Sequence, residues 1–222
     1  LQFGSFIHKV FEDGVDAKTF EELELVAGEL RSNYKFPTKK DSEVPNILKN
    51  FLRMNLKIEE SVSTEQVFSV KLGDDFEING IIDRIVKGKT GKYLVIDYKT
   101  SRVPATPTDL YKDPQMLMYT YAVSVMYGVK IEDIAVAHYY PHLDKLVSVS
   151  YKNLQIVQFL KTLKAKIWEI RKKKAEDFPA QQNQWCNWCQ YKGLCPEFGG
   201  THLALNEAKN KEKEKRRKRK PK

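Results

Sequence analysis

The sequence predicts an α/β or α+β fold in which helices cover a central sheet. Three observations carry that expectation. Apolar residues recur at helical spacing through the first 60 residues and again over 109–127 and 152–175. Strand-like segments lie between these helical stretches, two of them meeting at Gly88-Lys89-Thr90-Gly91. The 222 residues, 41% of them hydrophobic, suffice for one sizeable core.

Taken in order, residues 5–33 read as helical, with Phe20, Leu23, Val26 and Leu30 on one side. Residues 43–60 read as a second helix, with Ile47, Leu48, Phe51, Leu52 and Leu56 on its apolar side. Residues 62–72 alternate weakly and end at the turn signal Gly73-Asp74-Asp75. Segments 76–87 and 92–100 follow as two strands around a hairpin-length loop, completing three antiparallel strands. A helix is expected over 109–127 and strands near 133–140 and 145–151. A long amphipathic helix over 152–175 carries Leu154, Val157, Leu160, Leu163 and Ile167. A loop at Phe178-Pro179 leads into a cysteine-rich segment.

Charge is unevenly distributed. Of a net +9, residues 206–222 hold +7, leaving 28 basic and 26 acidic residues in the other 205. The expected organisation is a folded domain over 1–205 and a disordered basic tail over 206–222, too poor in apolar groups to fold. The tail is a solubilising end or a non-specific attractor of phosphates. No apolar run approaches the roughly 20 residues of a membrane span, and no signal peptide is visible. The expected location is cytoplasmic or nucleoid-associated, without a membrane partner. The first residue is Leu1 and not Met, so further sequence upstream is expected. Composition leaves the oligomeric state open.

The segment Gly80–Thr100, "GIIDRIVKGKTGKYLVIDYKT", places charges inside apolar runs. Asp83 follows Ile81 and Ile82; Asp97 follows Tyr93-Leu94-Val95-Ile96, and Lys99 comes two residues later. Burying such groups costs several kcal/mol unless they are paired or bind a metal. Side chains alternate across a strand, so Asp97 and Lys99 share a face. Asp83 joins them if the register agrees; one residue of slip turns it away. Two close carboxylates repel unless a cation lies between them, and Mg²⁺ or Mn²⁺ suits such ligands. Lys99 then stabilises charge on a phosphoryl oxygen or orients an attacking water. The alternative is an ordinary hairpin with an Asp97–Lys99 salt bridge.

Other residues add to this centre. His8 lies four residues after Gly4 at a helix start and suits a Mn²⁺-type site, although a lone histidine on a helix is more often structural than a ligand. Gln115 and Tyr119 are at i and i+4 on one helical face, where they can contact a nucleic-acid backbone or stack on a base. Glu65 precedes the hairpin and is either a further acid of the site or a surface residue. Cys186, Cys189 and Cys195 lie within ten residues, a clustering that suggests metal ligation in a reducing compartment.

The segments "GSFIH", "GIIDRI", "VIDYKT", "QMLMY" and "CNWCQYKGLC", in this order, resemble the RecB-like branch of the PD-(D/E)XK nuclease superfamily, over nearly the whole chain to Pro196. The resemblance implies a restriction-endonuclease-like core, a central mixed sheet flanked by helices. It implies that His8, Asp83, Asp97 and the Tyr98 carbonyl bind metal, that Lys99 is catalytic, and that Gln115 and Tyr119 position DNA. Glu65 matches a recurrent acidic position. The cysteines resemble the C-terminal part of an iron–sulfur motif, Cys-x2-Cys-x5-Cys. A [4Fe–4S] cluster then needs a fourth cysteine upstream of Leu1, since none precedes Cys186. Trp185, Trp188 and Tyr191 would shield a cluster or serve as core aromatics.

The expected function is divalent-metal-dependent DNA phosphodiester hydrolysis, as an exonuclease in repair, recombination or phage DNA processing, with a helicase domain or subunit as a possible partner. A CRISPR-adaptation nuclease and a non-catalytic DNA-binding or scaffold module on the same fold are the alternatives. The intact set of two acids and a lysine argues against the scaffold.

Overall fold

The computed structural model describes residues 2–58, 60–73 and 76–200. Leu1 and the basic tail, 206–222, lie outside the described residues. The chain divides into two compact units, Leu1–Ala165 and Lys166–Lys222.

The first unit opens with helices α1 (Gln2–Asp13), α2 (Phe20–Arg31) and α3 (Val44–Asn55). A sheet follows, of strands β1 (Glu60–Lys71), β2 (Glu77–Lys87) and β3 (Tyr93–Tyr98). Helices α4 (Pro107–Lys112) and α5 (Pro114–Tyr127) carry the chain over to β4 (Ile134–Tyr140), which is followed by β5 (Lys145–Ser150) and helix α6 (Asn153–Lys172). Strand order is β1-β2-β3-β4-β5. Only β3 and β4 pair in parallel, so the sheet is mixed. That pair needs a crossover, which α4 and α5 supply.

Two apolar clusters sandwich the sheet. One contains Phe6, Phe11, Leu23, Leu48 and Phe51 from α1–α3 with Val86, Ile96 and Tyr98 of the strands. Within it the Phe11 and Phe51 rings stack at 4.0 Å. The other contains Met116, Tyr119 and Val123 of α5 with Phe68, Ile85 and Val95. Burying each large side chain contributes about 1.5–3 kcal/mol, which explains why β3 reads as a continuous apolar run up to Asp97.

The covering is incomplete at one end of the sheet. From Arg84 to Val86, consecutive β2 residues are buried, so both faces are packed. From Glu77 to Ile82, and over Val67–Lys71 of β1, exposed and inward residues alternate, so one face is bare. Asp83 stands at the change.

The helix expected over 5–33 is two helices. Its second half starts afresh at Thr19, whose hydroxyl accepts from Glu22 N while the Glu22 carboxylate accepts from Thr19 N. The helix expected over 109–127 is likewise broken at Pro114, which has no N–H to donate, and Asp113 caps the second part. The β2–β3 loop spans Gly88–Lys92, one residue longer than expected, closed by Gly88 N donating to Lys92 O at 2.9 Å. In the second unit the cysteine segment consists of short 3₁₀ turns, Gln184–Trp188, Lys192–Leu194 and Pro196–Phe198. Trp185, Trp188 and Tyr191 are exposed, so the core-aromatic reading of these three does not hold.

Gly80 allows a close approach that matters for the site. It pairs with Phe68 across β1 and β2, and an added Cβ would lie 2.5 Å from the Phe68 ring. Phe68 in turn packs edge-on against Tyr119 at 6.2 Å. Gly80→Ala is expected to lower stability by about 1–3 kcal/mol, read as a lower urea midpoint at unchanged slope. An unchanged midpoint would show that Phe68 swings aside freely.

Candidate active site

Residue Gly4 brings helix α1 against the end of β3: an added Cβ there would meet Thr100 Oγ1 at 3.3 Å. One turn later, His8 points at the strands. Its Nε2 lies 2.8 Å from the Tyr98 carbonyl oxygen, and its Nδ1 3.5 Å from Asp83 Oδ2. Asp83 Oδ2 also accepts a hydrogen bond of 2.7 Å from Tyr98 N. The carboxylate is thereby fixed by backbone, in the direction that leaves its other oxygen available.

The β2–β3 ladder ends at the pair Arg84↔Ile96, one residue before Asp83 and Asp97, and beyond it Tyr98 N turns to the Asp83 side chain. The two carboxylates still lie near enough for the charge of Asp83 to raise Asp97. Glu65 joins from β1, between the pairs Thr64↔Arg84 and Gln66↔Ile82 and therefore opposite Asp83. Its φ is +45°, a left-handed conformation that costs a non-glycine residue about 1–3 kcal/mol. One ligand atom each from His8, Glu65 and Asp83 falls within a mutual 4.8 Å. Asp97, named with His8 and Asp83 in the sequence reading, is not in that group. Its Oδ2 instead pairs with Lys99 Nζ at 2.7 Å.

Gln115 and Tyr119 are turned inward in this structure. Lys99 Nζ donates to Gln115 Oε1 at 3.3 Å, Gln115 Nε2 to Tyr119 OH at 2.8 Å, and Tyr119 OH to the Ile81 carbonyl at 2.8 Å. The pair links the lysine to the β2 backbone. His138, which sequence reasoning missed, stands beside Asp97 in the parallel register of β3 and β4. It is 5% exposed, and its Nε2 lies 3.9 Å from both Asp97 Oδ2 and Asp113 Oδ2.

The electrostatics follow from this crowding. Burial, then the charge of Asp83, pushes the Asp97 carboxyl up to about 6, against the opposing pull of Lys99. Burial and Asp83 likewise raise Glu65. At His8, burial pulls downward, but the hydrogen bond and charge of Asp83 outweigh it and the imidazole is raised overall. Burial and the Lys99 charge depress His138 to about 4, so it is neutral at pH 7. The cluster is short of positive charge, and a divalent cation would relieve it. Two carboxylates, one carbonyl and one imidazole are a donor set that Mg²⁺ or Mn²⁺ accepts. An open cleft of about 480 Å³, lined by His8, Lys9, Glu65, Ile81 and Asp83, gives access.

The cysteines are free thiols. Among the described residues they form no group close enough to hold a metal.

The family model described as PD-(D/E)XK nuclease superfamily matches residues 1–196. A solved structure titled "Crystal structure of SSO0001" is 17% identical, with 86% of this chain and 83% of that chain covered and a TM-score of 0.39. No curated protein matches.

A cation that binds the acidic cluster stabilises the folded chain by mass action. Saturating Mn²⁺ is expected to raise Tm by about 5 °C. Asp83→Asn keeps the acceptor for Tyr98 N and removes one repelling charge. It should melt no lower than the parent in EDTA, and should lose most of the rise with Mn²⁺. A variant with the parent's full rise would remove Asp83 from the ligands.

Proposed function

We propose, for a chain that belongs to the PD-(D/E)XK nuclease superfamily, that it hydrolyses phosphodiester bonds in DNA and acts as an exonuclease. The observation that carries this reading is the meeting of two elements. Ligand atoms of His8, Glu65 and Asp83 lie within 4.8 Å, and Asp97 and Lys99 pair at 2.7 Å beside them.

His8, Glu65, Asp83 and the Tyr98 carbonyl would hold a divalent cation, with the second oxygen of Asp97 completing the acidic side. Such a cation, when bound, lowers the pKa of a water and polarises a phosphate. The chain's own part is arrangement. Asp97 and Gln115 aim the Lys99 ammonium at the position where negative charge develops on a phosphoryl oxygen. Gln115 is steadied by Tyr119, and Tyr119 by the Ile81 carbonyl. The Gln-x-x-x-Tyr pair therefore serves the lysine as well as any DNA contact. Neutral His138 lies against Asp97 without competing for the lysine as a base.

The RecB-like branch, its iron–sulfur cluster and a helicase partner belong to the same proposal. The Cys-x2-Cys-x5-Cys spacing is their support. If a fourth cysteine completes the set, protein expressed anaerobically should be brown, with about four irons per chain. Colourless, iron-free protein leaves Cys186, Cys189 and Cys195 as thiols.

Lys99→Ala and Asp97→Ala are expected to lower cleavage of labelled DNA at least about 100-fold while the protein remains folded. Asp97 that has lost its lysine simply takes up a proton, so the fold survives. Activity of the parent should rise with pH through about 6 as Asp97 ionises. It should rise further above the ordinary histidine range, where His8, whose pKa is raised mainly by Asp83 against its burial, sheds its proton and becomes able to ligate. Strands labelled at the 5′ or 3′ end separate release of single nucleotides from internal cutting. A folded Lys99→Ala protein cutting at the parent rate would overturn the catalytic assignment.

A further inference from the structure

Past Glu65 and Asp83 the β1–β2 ribbon runs on with one face bare. The first residues on that face are Val67 and Ile81, a directly paired couple across the two strands. They are 67% and 50% exposed, although both are large and apolar. Ser69 and Asn79 form the next pair, and Lys71 and Glu77 the last. Ile81 also lines the cleft that holds His8, Glu65 and Asp83. Its carbonyl is anchored by Tyr119, so its side chain is presented from a fixed backbone.

We propose that Val67 and Ile81 form an apolar shelf for a nucleobase of the strand whose phosphate lies at the acidic cluster. The inference rests on the nuclease reading above, and it names the part of the substrate that this surface takes. Three features select the occupant. Two residues along a strand span about 7 Å, the distance over which a nucleotide carries its base away from its phosphate. The shelf pair has no basic residue, so it suits the base and not the backbone; the first lysine on this face is Lys71, at its far end. Two side chains are also far too little surface for a protein partner, which needs about 800 Å² on each side. Every base offers an apolar face, so the shelf accepts bases without regard to sequence. Ser69 and Asn79 would meet the polar edges of a base or sugar that reaches beyond it.

Binding without cleavage tests this. Fluorescence anisotropy of the full chain in Ca²⁺ and in EDTA would compare a 12-residue deoxyadenosine strand with a strand of equal length lacking all bases. The parent should prefer the base-bearing strand by about fivefold or more, an aliphatic shelf standing at the low end of base-stacking contributions. The double variant Val67→Thr, Ile81→Thr keeps β-branched residues on the ribbon. It should reduce that preference to less than about twofold, with affinity for the base-free strand unchanged. Val67→Asn, Ile81→Asn serves as a second test if the threonine pair retains partial contact, and equal melting temperatures confirm that each variant is folded. Equal binding of the two strands by the parent, or a preference that survives both double variants, would overturn the shelf. A parent that prefers bases yet cuts no DNA removes the nuclease reading alone; one that cuts but shows no preference removes the shelf alone.

Discussion

The structure is organised around a carboxylate placed where carboxylates are costly. Asp97 is the penultimate residue of an apolar strand and is 3% exposed. Its partner, Lys99, lies 2.7 Å away but is itself one-third exposed, so water shares in the compensation. The remaining imbalance appears as an acid raised to about 6, with Asp83 across the strands as the second cause after burial. An ion pair kept only for stability gains little from such a position, since apolar replacements of similar size often do as well. The arrangement makes sense if the charge deficit is useful. A cluster that repels itself when empty binds a cation strongly, because the cation removes repulsion as well as adding attraction.

Two backbone features hold the repelling groups together. The first is the irregular stretch of β1. The Glu65 φ of +45° departs from strand geometry at the residue that stands opposite Asp83. Such strain persists only where the surroundings over-determine it, and here ten β1–β2 pairs extend to both sides of Glu65. The second is the entry of α1, close enough at Gly4 to touch Thr100. It lets His8 contact the Tyr98 carbonyl and Asp83 with one ring. The backbone of Tyr98 thus meets both groups: its N–H donates to Asp83, and its carbonyl faces His8.

Much of this was legible in the sequence, for identifiable reasons. Helical and strand periodicities gave the α/β class because the apolar faces are wide and their residues large. Asp83, Asp97 and Lys99 stood out because charge inside an apolar run conflicts with burial. What periodicity does not carry is the exact register, which decides whether Asp83 and Asp97 share a face. The breaks at Thr19 and Pro114 depend on caps, a local signal that a long apolar pattern masks. His138 was invisible for another reason. A lone histidine within Ile134–Tyr140 reads as a strand residue, and only the parallel pairing of β3 with β4 sets it beside Asp97. Gln115 and Tyr119 were visible as a pair, yet their spacing does not say whether they face solvent or the lysine. Packing decides that: Tyr119 is 6% exposed and joins the core beneath α5.

The place of the site in the sheet follows from where its covering stops. Through Arg84–Val86 helices pack both faces of β2, and a phosphodiester would have no way in. Beyond Ile81 one face is open to water, and a metal ligand there would be too well solvated to have its acidity shifted. Asp83 sits at the border between the two regimes, with its side chain 12% exposed. At that border a carboxylate is dry enough to favour a cation and close enough to solvent to admit a substrate. The same border explains why two large apolar residues remain uncovered immediately outside it. Extending α1 over Val67 and Ile81 would bury about 2 kcal/mol of apolar surface for each of them, but it would also close the cleft above Glu65 and Asp83. The bare ribbon is therefore the cost of an accessible acidic cluster, and its first two apolar side chains, Val67 and Ile81, lie immediately beside that cluster.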